Sequence, residues 1–163
     1  LKTSRADVKW VTPTNIHLTL KFLGDVPESE LPSIHESMTD SLKNHAAFSL
    51  SLEDLGAFPS LRHPRIIWVG IKEGAAESAA ITAAIEDRLV DFGINKETRP
   101  FSAHITLGRV RSPKNLSHLT TLLTQVSSPG SFRQDVAAIT FFKSTLTPHG
   151  PIYDVIKNYP LAG

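Results

Sequence analysis

The sequence contains His17-Leu18-Thr19-Leu20, and the same pattern returns in its second half as His104-Ile105-Thr106-Leu107. In both copies an aliphatic residue separates the histidine from the threonine, and a leucine follows. Side chains alternate between the two faces of a strand, so each histidine would share a face with its threonine. The pattern therefore predicts two strands, each with one apolar face for packing and one face that presents an imidazole and a hydroxyl.

The residues around these two motifs indicate a protein of mixed helices and strands. Apolar residues at helical spacing predict helices over Glu30–Asn44 and Ala75–Phe92, with Gly93 as a stop, and a shorter helix after Ser112-Pro113. Strands are predicted over Val8–Val11, Ile16–Leu23, Phe48–Leu55, Arg65–Ile71, Ala103–Val110, Val136–Phe142 and Ile152–Ile156. Some connections are too short for crossover helices, which favours mixed or antiparallel sheets in an α/β or α+β fold. Because a His-x-Thr strand precedes a helix in each half, we expect two related lobes.

The composition narrows the class of protein. The chain has 163 residues, of which 40% are hydrophobic and 20% charged, as in ordinary globular domains. Cysteine is absent, which excludes disulfides, thiol chemistry and Cys-ligated metals, and fits a cytoplasmic protein. No apolar run is long enough to cross a bilayer, so no membrane association is expected. The net charge of +1 is too small to indicate a nucleic-acid binder, so any RNA contact must come from a local basic patch.

Two imidazoles and two hydroxyls that converge on one cleft suit the hydrolysis of a phosphodiester. One histidine can take a proton from water while the other gives a proton to the leaving oxygen, and such catalysis typically contributes about 10²–10⁴-fold per group. Threonine hydroxyls can donate hydrogen bonds to the non-bridging phosphate oxygens, so Thr19 and Thr106 are candidate phosphate ligands. The scheme requires neither a metal nor a cofactor. A zinc hydrolase is the weaker alternative, because neither motif contains Asp or Glu to complete a zinc site.

The motifs and their flanks resemble the two-histidine (2H) phosphoesterases. More narrowly, the chain resembles the bacterial and archaeal RNA 2′,3′-cyclic phosphodiesterases, historically called 2′-5′ RNA ligases. The matching runs span nearly the whole chain, and they are His17–Gly24, Gly56–Pro59, Pro64–Gly70, Pro100–Arg109, Phe142–Leu146 and Gly150–Tyr153.

Two departures from the family pattern stand out. Fewer residues precede His17 than the family has, so its N-terminal strand and helix are expected to be missing from this chain. Ala103 occupies a position before the second histidine where the family often has proline.

The resemblance implies a fold, a reaction and site roles. It implies that residues 1–163 form a single α+β domain of two pseudo-symmetric lobes, with two antiparallel sheets flanked by helices and a central cleft. It implies hydrolysis of RNA 2′,3′-cyclic phosphate ends to 2′-phosphates, with 2′-5′ ligation as a reverse activity, by a protein expected to be a monomer. By resemblance, His17 is the proton donor, His104 the proton acceptor and Arg109 a contact of the substrate phosphate. The sequence does not fix which histidine is the acid, and strict alternation puts Arg109 on the face opposite His104 unless a twist or bulge near Gly108 re-aims it.

Three further residues are candidates for lining the cleft. In the predicted strand Ile16–Leu23, Lys21 shares the face of His17 and Thr19, and Phe101 and Tyr153 could stack on a base. Two other functions remain open for the same constellation. The substrate could be another small cyclic or 2′-5′ nucleotide, or the chain could be a non-catalytic module that binds RNA ends.

Overall fold

Five strands form the larger sheet, and in chain order they are β1 (Val8–Trp10), β2 (Phe48–Phe58), β3 (Ile66–Ile71), β4 (His104–Val110) and β5 (Arg133–Val136). They come from a computed structural model that describes residues 1–126, 132–148 and 150–163. Their order across the sheet is β1-β4-β3-β2-β5. Strand β4 pairs antiparallel with β1 and β3, and β3 pairs antiparallel with β2.

The remaining elements are a hairpin and three helices. Strands β6 (Ala138–Thr147) and β7 (Gly150–Pro160) form a second, antiparallel sheet. The helices are α1 (Leu31–Leu42), α2 (Ala75–Leu89) and α3 (Leu116–Gln125). Within the described ranges, no helix combines the length and the apolar character that crossing a membrane requires.

The predicted α+β class with antiparallel sheets is confirmed, and so are the three helices. A 3₁₀ turn follows α2, and Gly93 then takes a left-handed conformation with φ 72°, which explains why this helix ends there. Strands β2 and β7 are longer than predicted. Strand β5 was not predicted, because Arg133–Val136 is mostly polar and has no apolar alternation.

The described chain divides into two compact units, each made of three separate stretches. Unit 1 comprises Leu1–Thr19, Leu50–Ala75 and Ala103–Gln134, and unit 2 comprises Leu20–Ser49, Ala76–Ser102 and Asp135–Gly163. The pseudo-symmetry between two lobes stays a prediction.

Unit 1 has its core on one face of β4 and β3. Leu119 and Leu123, one helical turn apart on α3, are almost fully buried with Ile67 of β3. Val8 and Trp10 of β1 pack against the same cluster. The side chains at alternating positions on these strands therefore lie on the opposite face of the sheet, away from α3.

Unit 2 has a separate core. Its cluster is built by residues four apart on α1 and α2 together with the end of β7, namely Ile34, Met38, Leu42, Ile81, Ile85, Leu89, Tyr159 and Leu161. Tyr159 is 3% exposed, and a hydrogen bond of 2.5 Å joins its hydroxyl to Nδ1 of His35. Burial raises the pKa of Tyr159 to about 12, so its hydroxyl is protonated at neutral pH.

Candidate active site

The second motif lies on β4, and the register with β3 fixes which way its side chains face. Ile105 lies opposite Val69, which is 3% exposed and belongs to the buried face. His104 lies opposite Gly70, and Thr106 lies opposite Trp68. Because neighbours in a strand alternate, His104 and Thr106 share the face directed away from the α3 core.

The predicted strand Ile16–Leu23, which would hold the first motif, is wrong. The structure has only one antiparallel bridge there, between Leu18 and Ile105. Upstream, the carbonyl of Leu107 already accepts a hydrogen bond from Val11 N–H at 2.8 Å, and a 3₁₀ turn over Pro13–Asn15 follows. Downstream, the residues after Thr19 have no strand to pair with, because β4 begins at His104. The edge of β4 therefore has room for a bridge but not for a strand.

This bridge nevertheless aligns the two motifs. In an antiparallel register around Leu18 and Ile105, His17 comes opposite Thr106 and Thr19 comes opposite His104. Leu18 shares its face with Ile105, so the two histidines and the two threonines share the other face. All four residues belong to unit 1. Two imidazoles and two hydroxyls thus lie on adjacent positions of one surface.

A hydrogen bond orients the imidazole of His17. Its Nδ1 donates to the backbone carbonyl of Asn15 at 2.7 Å, because a carbonyl can only accept. This places the Nδ1 proton and leaves Nε2 as the nitrogen suited to proton transfer. The side chain of His17 is exposed to solvent and so is accessible to small molecules.

Aromatic side chains surround the imidazole of His104. The ring of Phe58 meets it edge to face at 5.1 Å between centroids, and the ring of Trp68 lies 6.3 Å away. Trp68 lies over Gly56, where an added Cβ would come within 2.2 Å of the indole. The sequence pattern did not place Trp68 or Phe58 beside His104, because the contacts depend on how the strands pair.

A bulge in β4 determines the face of Arg109. Ile67 pairs with Gly108 while Trp68 pairs with Thr106, so Leu107 is an extra residue on β4. Arg109 therefore lies opposite Ile66, which shares its face of β3 with Trp68. Of the two ways to re-aim Arg109, a twist or a bulge near Gly108, the structure has the bulge, and it returns Arg109 to the face of His104 and Thr106.

The bulge also accounts for Gly108, which lies on the buried face. A Cβ on this residue would come within 2.6 Å of Val8 and 3.0 Å of Trp10. Glycine thus allows β1 to pack closely on β4. On β1, Lys9 lies between these two apolar residues and opposite Arg109. Sequence reasoning did not single out Lys9, because it belongs to no motif.

Lys21 belongs to unit 2, where its ammonium group is held by three acceptors. Its Nζ donates to Glu86 at 2.7 Å, to the carbonyl of Asn95 at 2.8 Å and to Glu97 at 3.3 Å. Burial works against this charge, but the bonds to the two glutamates outweigh it and raise the pKa of Lys21. The argument that Lys21 shares a strand face with His17 does not hold, because residues 20–23 form no strand. The contacts favour a structural role.

The other two cleft candidates also lie in unit 2. Tyr153 on β7 packs against Phe142 of β6, with ring centroids 5.9 Å apart, and Phe101 is half-buried before β4. A role in lining the cleft stays a prediction for both. A recess of about 580 Å³ in unit 2, beside Lys21, contains neither motif. Among the residues that the structure describes, no group of three His, Asp or Glu side chains could hold a metal ion.

The sequence comparisons point to the LigT-like phosphoesterases. A family model described as LigT-like phosphoesterase matches residues 1–68 and again residues 69–153. The RNA 2′,3′-cyclic phosphodiesterase of Methanothermobacter thermautotrophicus is 35% identical over 161 residues, covering 99% of this chain and 86% of the relative. The enzyme of the same name from Archaeoglobus fulgidus is 36% identical over 150 residues, covering 92% and 82%.

Solved structures share the fold. The crystal structure of TT0787 of Thermus thermophilus matches with a TM-score of 0.74 and 28% identity, covering 96% of this chain and 84% of that one. The structure of Escherichia coli LigT complexed with 3′-AMP matches with a TM-score of 0.78 over 96% and 83% of the two chains. Its identity is 23%, so this match concerns the fold alone.

Proposed function

We propose that this chain, which belongs to the family of LigT-like phosphoesterases, hydrolyses RNA 2′,3′-cyclic phosphate ends to 2′-phosphates. The relatives named above support the choice of substrate. The observation that carries the proposal is the register around Leu18 and Ile105, which gathers both His-x-Thr pairs on one face of unit 1.

In the proposed reaction, His104 accepts a proton from the water that attacks phosphorus. The bond between phosphorus and the 3′ oxygen breaks, and His17 gives that oxygen its proton through Nε2. Thr19 and Thr106 donate hydrogen bonds to the non-bridging oxygens as charge develops on them. Arg109, on the same face, contributes a guanidinium to the phosphate. In 2′-5′ ligation a 5′-hydroxyl would attack phosphorus in place of water and the same bond to the 3′ oxygen would break, so the two histidines would keep these roles.

The test is product analysis on an RNA that ends in a 2′,3′-cyclic phosphate, with EDTA present. We expect a 2′-phosphate rather than a 3′-phosphate.

His17→Ala and His104→Ala should each lower turnover by about 10²–10⁴-fold, because each removes one proton-transfer group. His118→Ala, which changes an exposed histidine of α3, is the matched control and should keep the wild-type rate. A double variant of His17 and His104 with wild-type turnover would refute the proposal, and rates on other cyclic or 2′-5′ nucleotides would reveal a different substrate.

We further infer that the active protein is a cytoplasmic monomer. All four motif side chains come from one unit of one chain, so the proposed chemistry needs no second copy. Absence of cysteine is compatible with a reducing compartment. Light scattering after size exclusion should give the mass of one chain, 17.8 kDa, and cell fractionation should place the protein with cytoplasmic markers.

A further inference from the structure

Two cations lie directly opposite each other on β1 and β4. Lys9 and Arg109 are register partners in the antiparallel pair. Like charges at opposed positions are destabilising, so this pair works against the sheet that contains it. In the described ranges neither side chain has a carboxylate within salt-bridge distance. Neither charge therefore has an ion-pair partner within the described part of the protein.

These cations share the face of the catalytic motifs. Val8 and Trp10 pack into the core beneath α3, so Lys9, which lies between them, faces the other way. The β4 bulge brings Arg109 to the same side. Lys9 is half-buried although it is a lysine, which indicates that its stem is held against the sheet.

The two cations form the next row along the sheet from the motif residues. On β4, Arg109 is the next residue after Thr106 that faces the same side, because the bulge adds one extra residue between them. Along the neighbouring edge of β4, His17 comes opposite Thr106 and Lys9 lies opposite Arg109. Successive same-face positions are about 7 Å apart along a strand. This separation is comparable to that between consecutive phosphates in an RNA strand. A cyclic phosphate held by the four motif groups would therefore bring the neighbouring phosphate of the chain over the cation row.

We propose that Lys9, beside Arg109, binds the internucleotide phosphate that precedes the cyclic end. The site then favours oligoribonucleotides with at least one internucleotide phosphate over a nucleoside 2′,3′-cyclic phosphate, which has none. This inference rests on the proposed function, because it places the cyclic phosphate at the four motif side chains of His17, Thr19, His104 and Thr106. A bound phosphate also resolves the repulsion between the two cations, since it supplies the negative charge that their surroundings do not.

The test compares two substrates, a nucleoside 2′,3′-cyclic phosphate and a dinucleotide that ends in a 2′,3′-cyclic phosphate. For Lys9→Gln we expect the ratio of kcat/KM for the dinucleotide to that for the mononucleotide to fall about tenfold, because one charged hydrogen bond is lost on one substrate only. The slope of log KM against log salt concentration for the dinucleotide should decrease by about 0.7, as expected for one lost contact to single-stranded nucleic acid. Lys9→Arg should restore most of the ratio. Lys114→Gln, at an exposed lysine before α3, is the control that should leave both substrates unaffected.

The outcomes separate this inference from the proposed function. If the wild-type protein cleaves neither substrate, the proposed function fails. If it cleaves both and the ratio for Lys9→Gln equals that of wild type, the inference about Lys9 is overturned while the function stands. Unfolding measurements guard against a structural explanation, because removing one of two opposed like charges should leave the melting temperature unchanged or higher. A lower melting temperature together with equal losses on both substrates would also overturn the inference.

Discussion

Gly56 shows how a single hydrogen atom in place of a side chain shapes the surroundings of His104. The indole of Trp68 occupies the space above this glycine, within 2.2 Å of where a Cβ would lie. The same indole packs against Phe58, with centroids 5.2 Å apart, and both rings border His104. The absence of a side chain at position 56 is thus linked, through one ring, to the position of the second motif histidine.

Gly56→Ala should therefore disturb both stability and turnover. We expect a loss of about 1–3 kcal/mol in the free energy of unfolding, typical of overpacking, because the indole must leave a packed position. Turnover should fall as the aromatic wall beside His104 shifts, and near-UV circular dichroism should report the change around Trp68. Gly70→Ala is the matched control on the neighbouring strand, since the nearest atom to its added Cβ would be 3.6 Å away. Equal stability for Gly56→Ala and wild type would contradict the close packing described.

At the scale of elements, Lys21 ties the segment after the first motif to α2 in unit 2. The side chain of Lys21 is 3% exposed and that of Glu86 is 14% exposed, so the pair is largely withdrawn from water. Burial alone would raise the pKa of Glu86, but hydrogen bonds from Lys21 and from Glu97 N–H lower it below the ordinary value. Removal of the Lys21 side chain would leave the carboxylate of Glu86 without its cationic partner.

Lys21→Met should destabilise the protein by about 3 kcal/mol at neutral pH, the usual effect of breaking a buried ion pair. A lowered carboxyl pKa gives stability that is present above the ordinary value near 4.5 and is lost as the pH falls through the lowered value. The difference from wild type should therefore be largest at neutral pH and shrink as the pH falls through the lowered pKa of Glu86. Urea unfolding at pH 7 and pH 3 measures it. Lys43→Met, which removes the exposed pair with Asp40, should change stability little at either pH, and an equal effect of both variants would contradict the buried role of Lys21.

The elements that could be predicted from sequence are those whose pattern is local. Helices α1 and α2 display their buried residues at helical spacing, and β4 has the apolar alternation of a strand. The strand expected over Ile16–Leu23 failed for a non-local reason, because the edge of β4 was already occupied by Val11. Register and bulge are likewise properties of a pair of strands rather than of one. This is why the face of Arg109 stayed open in the sequence and why Lys9, in a strand of three residues, was missed.

For the molecule as a whole, a net charge of +1 means that any attraction to RNA comes from a few local contacts. Each phosphate contact to a single strand contributes about −0.7 to the slope of log affinity against log salt. With about two such contacts, at Arg109 and Lys9, we expect the slope of log kcat/KM for an oligoribonucleotide to be about −1.4. Steady-state rates over a series of KCl concentrations measure this slope. A slope several times steeper would indicate a large basic surface, which the charge of the chain does not support.

The division of the chain into interleaved stretches has a consequence for its synthesis. The chain passes from one unit to the other five times, after residues 19, 49, 75, 102 and 134. Each unit draws on stretches from both halves of the chain, so a gene truncated near its middle would not yield a folded unit.

On the ribosome, the first His-x-Thr segment cannot form its bridge until β4 has emerged. Unit 1 has all its residues once Gln134 has been synthesised, whereas unit 2 still needs Leu161 of its core. Nascent chains should therefore dock the first histidine motif late, and the two units should become resistant to protease in that order.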